Sequence, residues 1–189
     1  ACGGFPHDVA RRKAMFPHAG DGTAHFSPGP VGNTGDGLRL AETAGGRIDD
    51  TLPNAAAWVP VSITERKDGS KGVMPHFIDR AKPGVIAVMR DGRRFANEGN
   101  SYHDFVQEMV KAAKPGEEVT AFLLCDHRAL RKYGLGCVPP FPMPLRHHLA
   151  TGYLKRGATL AELADRSGID RQGLETAVAE FNQTAAEGR

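Results

Sequence analysis

The sequence predicts an α+β fold, with strands and helices in separate stretches of the chain. Three observations carry this reading. The apolar run Val85-Ile86-Ala87-Val88-Met89, the turn pair Asp91-Gly92 and the following Arg93-Arg94-Phe95 predict a β-hairpin. From Tyr102 to Ala113 the spacing becomes helical, with Phe105, Val106, Met109 and Val110 on one face. Near the end, Thr159 to Ser167 and Arg171 to Ala186 read as two further helices. The first opens on Thr159-Leu160-Ala161-Glu162, a capping box in which threonine and glutamate satisfy backbone N–H groups at the helix start.

The remaining elements follow in order. Asp8 to Phe16 predicts a short helix ended by Pro17, and a glycine-proline loop runs from Gly20 to Gly32. Gly35 to Ala44 predicts a helix with Leu38, Leu40, Ala41 and Ala44 apolar, stopped by Gly45-Gly46. Trp58 to Ile63 predicts a strand, and Pro60 places it at an edge. Val119 to Leu124 predicts a buried strand. Asp126 caps a short helix ending at Tyr133-Gly134, and Pro139 to Pro144 is a proline-rich link.

Composition narrows the function. The chain has 189 residues, 40% of them hydrophobic, enough for one or two domains with a real core. Its 24 basic and 22 acidic residues leave a net charge of +2, which gives no electrostatic footprint for nucleic acid or an anionic membrane. The three cysteines, Cys2, Cys125 and Cys137, have no paired spacing. A disulfide framework or zinc site is therefore not expected, and a cytoplasmic setting is. No signal peptide and no run of about 18 apolar residues is present.

Three stretches carry chemistry. The first joins Cys2-Gly3-Gly4-Phe5 to Gly32-Asn33-Thr34-Gly35-Asp36-Gly37. Glycines let backbone approach a ligand closely, and a helix start offers N–H groups. An Asp there also serves as an ordinary charge on the helix dipole. The second runs from Lys82-Pro83-Gly84 through Arg93, Arg94 and Glu98 to Tyr102-His103-Asp104. It gathers groups suited to proton transfer, or else the solvated charges of a surface hairpin. The third, Pro139 to Tyr153, holds Arg146, His147, His148 and Tyr153. Adjacent histidines without a carboxylate or cysteine at a helpful offset do not make a metal site.

Taken in order, these runs resemble a family. Cys2-Gly3-Gly4-Phe5, then Thr34-Gly35-Asp36-Gly37-Leu38-Arg39-Leu40-Ala41, then Lys82-Pro83-Gly84-Val85-Ile86-Ala87-Val88, then Gly92-Arg93-Arg94-Phe95-Ala96-Asn97-Glu98 are similar to the fumarate reductase, succinate dehydrogenase and 3-ketosteroid Δ1-dehydrogenase flavoproteins. The tail Gly157 to Ala164 and Gly168-Ile169-Asp170 extends the resemblance along nearly the whole chain.

The resemblance implies FAD as cofactor, with contacts at Gly3, Gly4 and Asp36. Five positions after the Asn of the Asn-Glu pair, the family carries its proton-transferring residue, an arginine in fumarate reductases and a tyrosine in ketosteroid dehydrogenases. Here that position is Tyr102. Dicarboxylate enzymes also carry Phe-His-Pro after the Asp-Gly helix; Trp58-Val59-Pro60 stands in its place, which puts a dicarboxylate substrate in doubt.

The resemblance therefore implies hydride transfer to or from a carbon–carbon bond beside a carbonyl, on a bulky, mostly apolar ketone. Arg93, Arg94 and His103 are candidate tuners of Tyr102, since a phenol with pKa about 10 needs help to act as a base. Trp58, Phe77, Phe141 and Met143 are expected to supply an apolar wall. Rival readings are a carboxylate-reducing enzyme gripping substrate with Arg80 or Arg146, and a cap-containing module without catalysis.

The expected organisation is a remnant of the FAD-binding domain over 1–46 and a substrate-capping domain over 47–189. No Gly-x-Gly-x-x-Gly opens the chain, and it stops before the family's C-terminal segment, so an excised fragment that does not hold FAD tightly is expected.

Overall fold

Apolar β-type runs and amphipathic helices bury their faces against each other in two clusters, each joining a strand pair or loop to helices. The computed structural model describes residues 3–16 and 25–188. Along the chain lie α1 (Val9–Met15), α2 (Asp36–Thr43), β1 (Val61–Glu65), β2 (Lys71–Pro75), β3 (Val85–Val88), α3 (Tyr102–Ala112), β4 (Phe122–Cys125), α4 (His127–Tyr133), α5 (Arg146–Ala150), α6 (Leu160–Ser167) and α7 (Arg171–Ala186). Among the described residues the strands form two antiparallel pairs, β1 with β2 and β3 with β4. The architecture is a mixture of helices and antiparallel strands. Pro17, Gly20 and Cys2, named above, lie outside the described residues.

The helix predictions hold because their caps are local. Asp8 accepts the Arg11 N–H at 3.0 Å, Asp126 accepts Ala129 N–H at 2.6 Å, and Asp170 accepts Gly173 N–H at 2.8 Å. Thr159 accepts Glu162 N–H at 3.1 Å, while the Glu162 carboxylate reaches back to Ala158 N–H at 2.6 Å, one residue before the expected partner. Gly45 takes φ +83 and ends α2, as the glycine pair implied.

The hairpin at Asp91-Gly92 needs correction. Its turn forms, with Gly92 N–H on Met89 O at 3.0 Å and Met89 N–H on Arg93 O at 2.9 Å. The return strand does not: a single bridge, Val88 to Arg94, is all that follows. The physical reason is burial. All four β3 residues are buried, so the partner must be apolar, and β4 supplies it in the register Val85↔Cys125 to Val88↔Phe122. Arginines in that place would have buried two charges. Two elements went unpredicted: β2, signalled by Asp68-Gly69 between Ile63 and Val73, and α5 just after the proline-rich link.

Ile86 and Val88 pack with Ala164, Ile169, Leu174 and Ala177, which seats β3 on α6 and α7. Phe16, Trp58 and Val106 form the second cluster, with Phe5, Met15 and Val110 at its border. This second cluster matters for function. It ties the Gly3-Gly4 turn and α1 to α3, whose first residue is Tyr102.

Candidate active site

Tyr102 is held by the loop before it and by the helix it begins. Ser101 caps α3 by accepting the Asp104 N–H at 3.1 Å. Upstream, the loop is clamped twice. Arg80, 2% exposed, donates to the carbonyls of Glu98 and, at 2.6 Å, of Asn100. Its guanidinium lies 4.8 Å from the centre of the Phe105 ring, on the second turn of α3. Burial pushes the Arg80 guanidinium below its ordinary range, and the charges of Asp79 and Glu98 push back.

Glu98 is the second clamp. Its buried carboxylate accepts the Ala87 N–H of β3 at 2.8 Å, Arg94 Nε at 3.0 Å and Arg94 Nη2 at 2.5 Å. The hydrogen bond to Glu98 raises the Arg94 pKa further. Arg80 and Glu98 thus fix the turn Asn97-Glu98-Gly99-Asn100 relative to β3. Tyr102 remains 38% exposed, with its ring edge-on to Phe77 at 5.2 Å. A phenol that is mounted rigidly and open on one side has the geometry a proton-transfer group needs.

The three candidate tuners go elsewhere. Arg93 is exposed beside Asp91, Arg94 is bound to Glu98, and His103 accepts the Trp58 N–H on Nδ1 at 3.1 Å while its Nε2 pairs with Gln107 at 2.9 Å. Of the expected apolar wall, only Phe77 meets Tyr102. Trp58 is buried edge-on to Phe16 at 4.6 Å, and Phe141 packs 5.0 Å from Arg131. Met143 is exposed, its carbonyl accepting from Arg131. Arg80 has both terminal nitrogens on carbonyls, so it is committed to the loop and not to gripping a carboxylate. Arg146 is exposed at the start of α5.

Gly3, Gly4 and Asp36 come together. Gly35 N–H donates to Gly4 O at 3.2 Å, and His7 N–H to Asn33 O at 3.1 Å. Gly3 takes φ +73, and a Cβ there would stand 2.8 Å from Asn33 Oδ1. Buried Arg12, which the sequence reading missed, donates to Pro6 O and His25 O at 3.1 Å and braces the turn. Gly35 precedes α2 without a side-chain cap, so the helix start is open to a ligand. Asp36 is exposed and ion-paired with Arg39. A carboxylate there repels phosphate and favours a hydroxyl or N–H of the cofactor, so the residues fit FAD by its donor groups.

A cavity of about 1490 Å³ lies between the β3–β4 pair, α3, α6 and α7. It exceeds the roughly 300–1,000 Å³ of a small-molecule site, and Tyr102 is not among the described residues lining it. Cys125 does line it; burial pushes its thiol up to about 11. Alkylation at pH 8 is expected to be slow, since only about one thiol in a thousand is then ionised. Labelling as fast as that of a free thiol would contradict this.

The glycine turn and the helix that Tyr102 begins are thus coupled through the packing of Phe5, Phe16, Trp58 and Val106. The chain belongs to the FAD binding domain family, which matches residues 1–189. It is 44% identical over 189 residues to 4-oxocyclohex-2-ene-1-carboxylate 5-dehydrogenase of Sinomonas cyclohexanicum, covering all of this chain and 32% of that protein. A 3-ketosteroid delta1-dehydrogenase from Sterolibacterium denitrificans, solved in complex with 1,4-androstadiene-3,17-dione, superposes with TM-score 0.80 at 29% identity over 99% of this chain and 33% of that one. A flavocytochrome c3 fumarate reductase shares the fold, with TM-score 0.62 at 22% identity over 100% of this chain and 29% of that one. The chain thus spans about a third of the length of these relatives. Among the described residues no helix is long and apolar enough to cross a membrane.

Proposed function

We propose that this chain carries the proton-transferring tyrosine of an FAD-dependent dehydrogenase that forms a carbon–carbon double bond beside the carbonyl of a cyclic ketone. The observation that carries it is Tyr102, half-open at the head of α3 and fixed by the Arg80 and Glu98 clamps. FAD, when bound, supplies the acceptor for the hydride leaving one carbon. Tyr102 takes the proton from its neighbour. Phe77, exposed and edge-on to Tyr102, offers an apolar surface to a substrate ring. Gly3, Gly4 and Asp36 would hold part of the cofactor, and the aromatic cluster around Phe16 and Trp58 keeps that turn in register with α3.

Cyclic ketones are favoured over fumarate or succinate for two reasons. Val59 brings no charge to a dicarboxylate, and Arg80 is committed to Glu98 and Asn100. The substrate named for the 44%-identical relative, 4-oxocyclohex-2-ene-1-carboxylate, is itself a ring ketone. Assaying ring ketones against fumarate and succinate tests the reading, and turnover confined to the dicarboxylates would overturn it. Part of the proposal is that residues 1–46 belong to the FAD-binding domain and 47–189 to a substrate-capping domain.

Two further outcomes follow. Asp36→Ala should lower the flavin-to-protein ratio several-fold. Its exposed pairing with Arg39 contributes less than about 1 kcal/mol, so the melting temperature should barely move. A normal flavin ratio would remove Asp36 from the cofactor contacts. Residues 1–189 by themselves should lose added FAD on desalting, because no Gly-x-Gly-x-x-Gly supplies the pyrophosphate site. A retained yellow colour with sub-micromolar affinity would contradict this.

A further inference from the structure

The Arg80 clamp adjoins a chain of polar groups, His76 buried and Ser62, Asp79 and Tyr153 partly buried, that proton transfer itself does not use. Asp79 Oδ2 lies 2.6 Å from His76 Nδ1, His76 Nε2 lies 2.8 Å from Ser62 Oγ, and Ser62 Oγ lies 2.7 Å from the Tyr153 hydroxyl. Backbone closes both ends: Gly136 N–H donates to Asp79 Oδ2 at 3.0 Å, and Cys137 N–H to the Tyr153 oxygen at 3.1 Å.

These bonds are consistent with a single direction of donation. Tyr153 O–H donates to Ser62, Ser62 O–H to His76 Nε2, and His76 Nδ1–H to Asp79. That assignment gives a neutral imidazole and an ionised carboxylate. Burial alone would raise the Asp79 pKa, but the His76 bond and the Gly136 N–H keep it lowered. The order resembles a hydrolytic triad, yet Ser62 Oγ is held between two partners, as suits a structural tie.

The position of this chain gives its purpose. His76 and Asp79 flank Phe77 and Ile78, and Arg80 follows at once. His76 and Arg80 are buried while Phe77 and Ile78 are exposed, so inward bonds hold a segment whose outward side meets Tyr102. Gly136 shows how tightly it closes: at φ +57, a Cβ there would stand 2.8 Å from His76 Cε1 and overlap the Tyr153 hydroxyl. Apolar packing would fill the same space but would tolerate sliding. Directional, fully satisfied bonds permit one register.

We propose that Asp79, His76, Ser62 and Tyr153 are positioning residues, fixing residues 76–80 and, through Phe77 and Arg80, the place of the Tyr102 phenol. This rests on the proton-transfer reading of Tyr102.

The test uses the flavin-loaded protein with a ring ketone. His76→Gln, Ser62→Ala and Tyr153→Phe should each lower kcat about 10- to 100-fold with KM nearly unchanged, the scale of a misplaced reacting group. Combined with Tyr102→Phe, none should add further loss. Asp79→Asn keeps an acceptor for His76 and Gly136 and should retain most of the activity that Asp79→Ala loses. Amide exchange over residues 98–103 should quicken about tenfold in His76→Gln and Tyr153→Phe, with α7 unchanged. Should His76→Gln fail to fold, Tyr153→Phe, which removes one hydroxyl, carries the same test.

Unaltered exchange at 98–103, or losses that multiply fully with Tyr102→Phe, would overturn the proposal. If Tyr102→Phe alone leaves turnover intact, the proton-transfer reading falls, and the exchange measurement still decides whether the network positions this loop.

Discussion

Tyr102→Phe should lower the chemical step about 10²–10⁴-fold while flavin content and fold persist, the usual cost of removing a positioned acid or base. The substitution deletes one oxygen. It keeps the ring that packs edge-on to Phe77, and Ser101 still caps α3, so the local structure has no reason to change. Stopped-flow bleaching of the flavin by a ring ketone reads the step directly, and the visible spectrum reports occupancy in the same cuvette. An anaerobic reduction rate equal to that of the unmodified protein would remove Tyr102 from the chemistry. Loss of activity together with loss of bound flavin would make it a packing residue instead.

Glu98→Ala is expected to be the most damaging single change to the mounting of that tyrosine. It strips the buried Ala87 N–H of its acceptor at 2.8 Å and leaves Arg94 without the partner that holds its guanidinium at 3.0 and 2.5 Å. An orphaned buried donor costs about 1–3 kcal/mol, and an abandoned, partly buried cation adds to it, so about 3 kcal/mol in total is expected. For a chain of this size that lowers the melting temperature by roughly 6–12 °C. Glu98→Gln should cost less, since its amide oxygen can still accept from Ala87. Differential scanning calorimetry on both variants decides. A shift under about 2 °C for Glu98→Ala would show that the carboxylate is not the anchor described here.

Much of the local structure was legible because it is encoded locally. Asp8, Ser101, Asp126, Thr159 and Asp170 all cap the helices they precede, and a cap needs only the next three residues. The return strand of the hairpin was misread because Arg93-Arg94-Phe95 carries a plausible local pattern, while the true partner of β3 lies far along the chain. The partner was chosen by burial of β3 on both faces, which no short window reveals.

The site divides in the same way. Glycine turns, the Asn-Glu pair and the position of Tyr102 are matters of order and spacing, and the sequence determined them together with the family they resemble. Only the tertiary structure decided what each side chain does. It turned Arg94 to Glu98 and His103 to Trp58, buried Trp58 in the core, and bent Arg80 onto the loop carbonyls. It also joined Ser62, His76, Asp79 and Tyr153, whose ends lie far apart in the chain, into one bonded line. The physical reason is that a buried polar atom must find a partner wherever the fold brings one within about 3 Å, and sequence distance has no say in that.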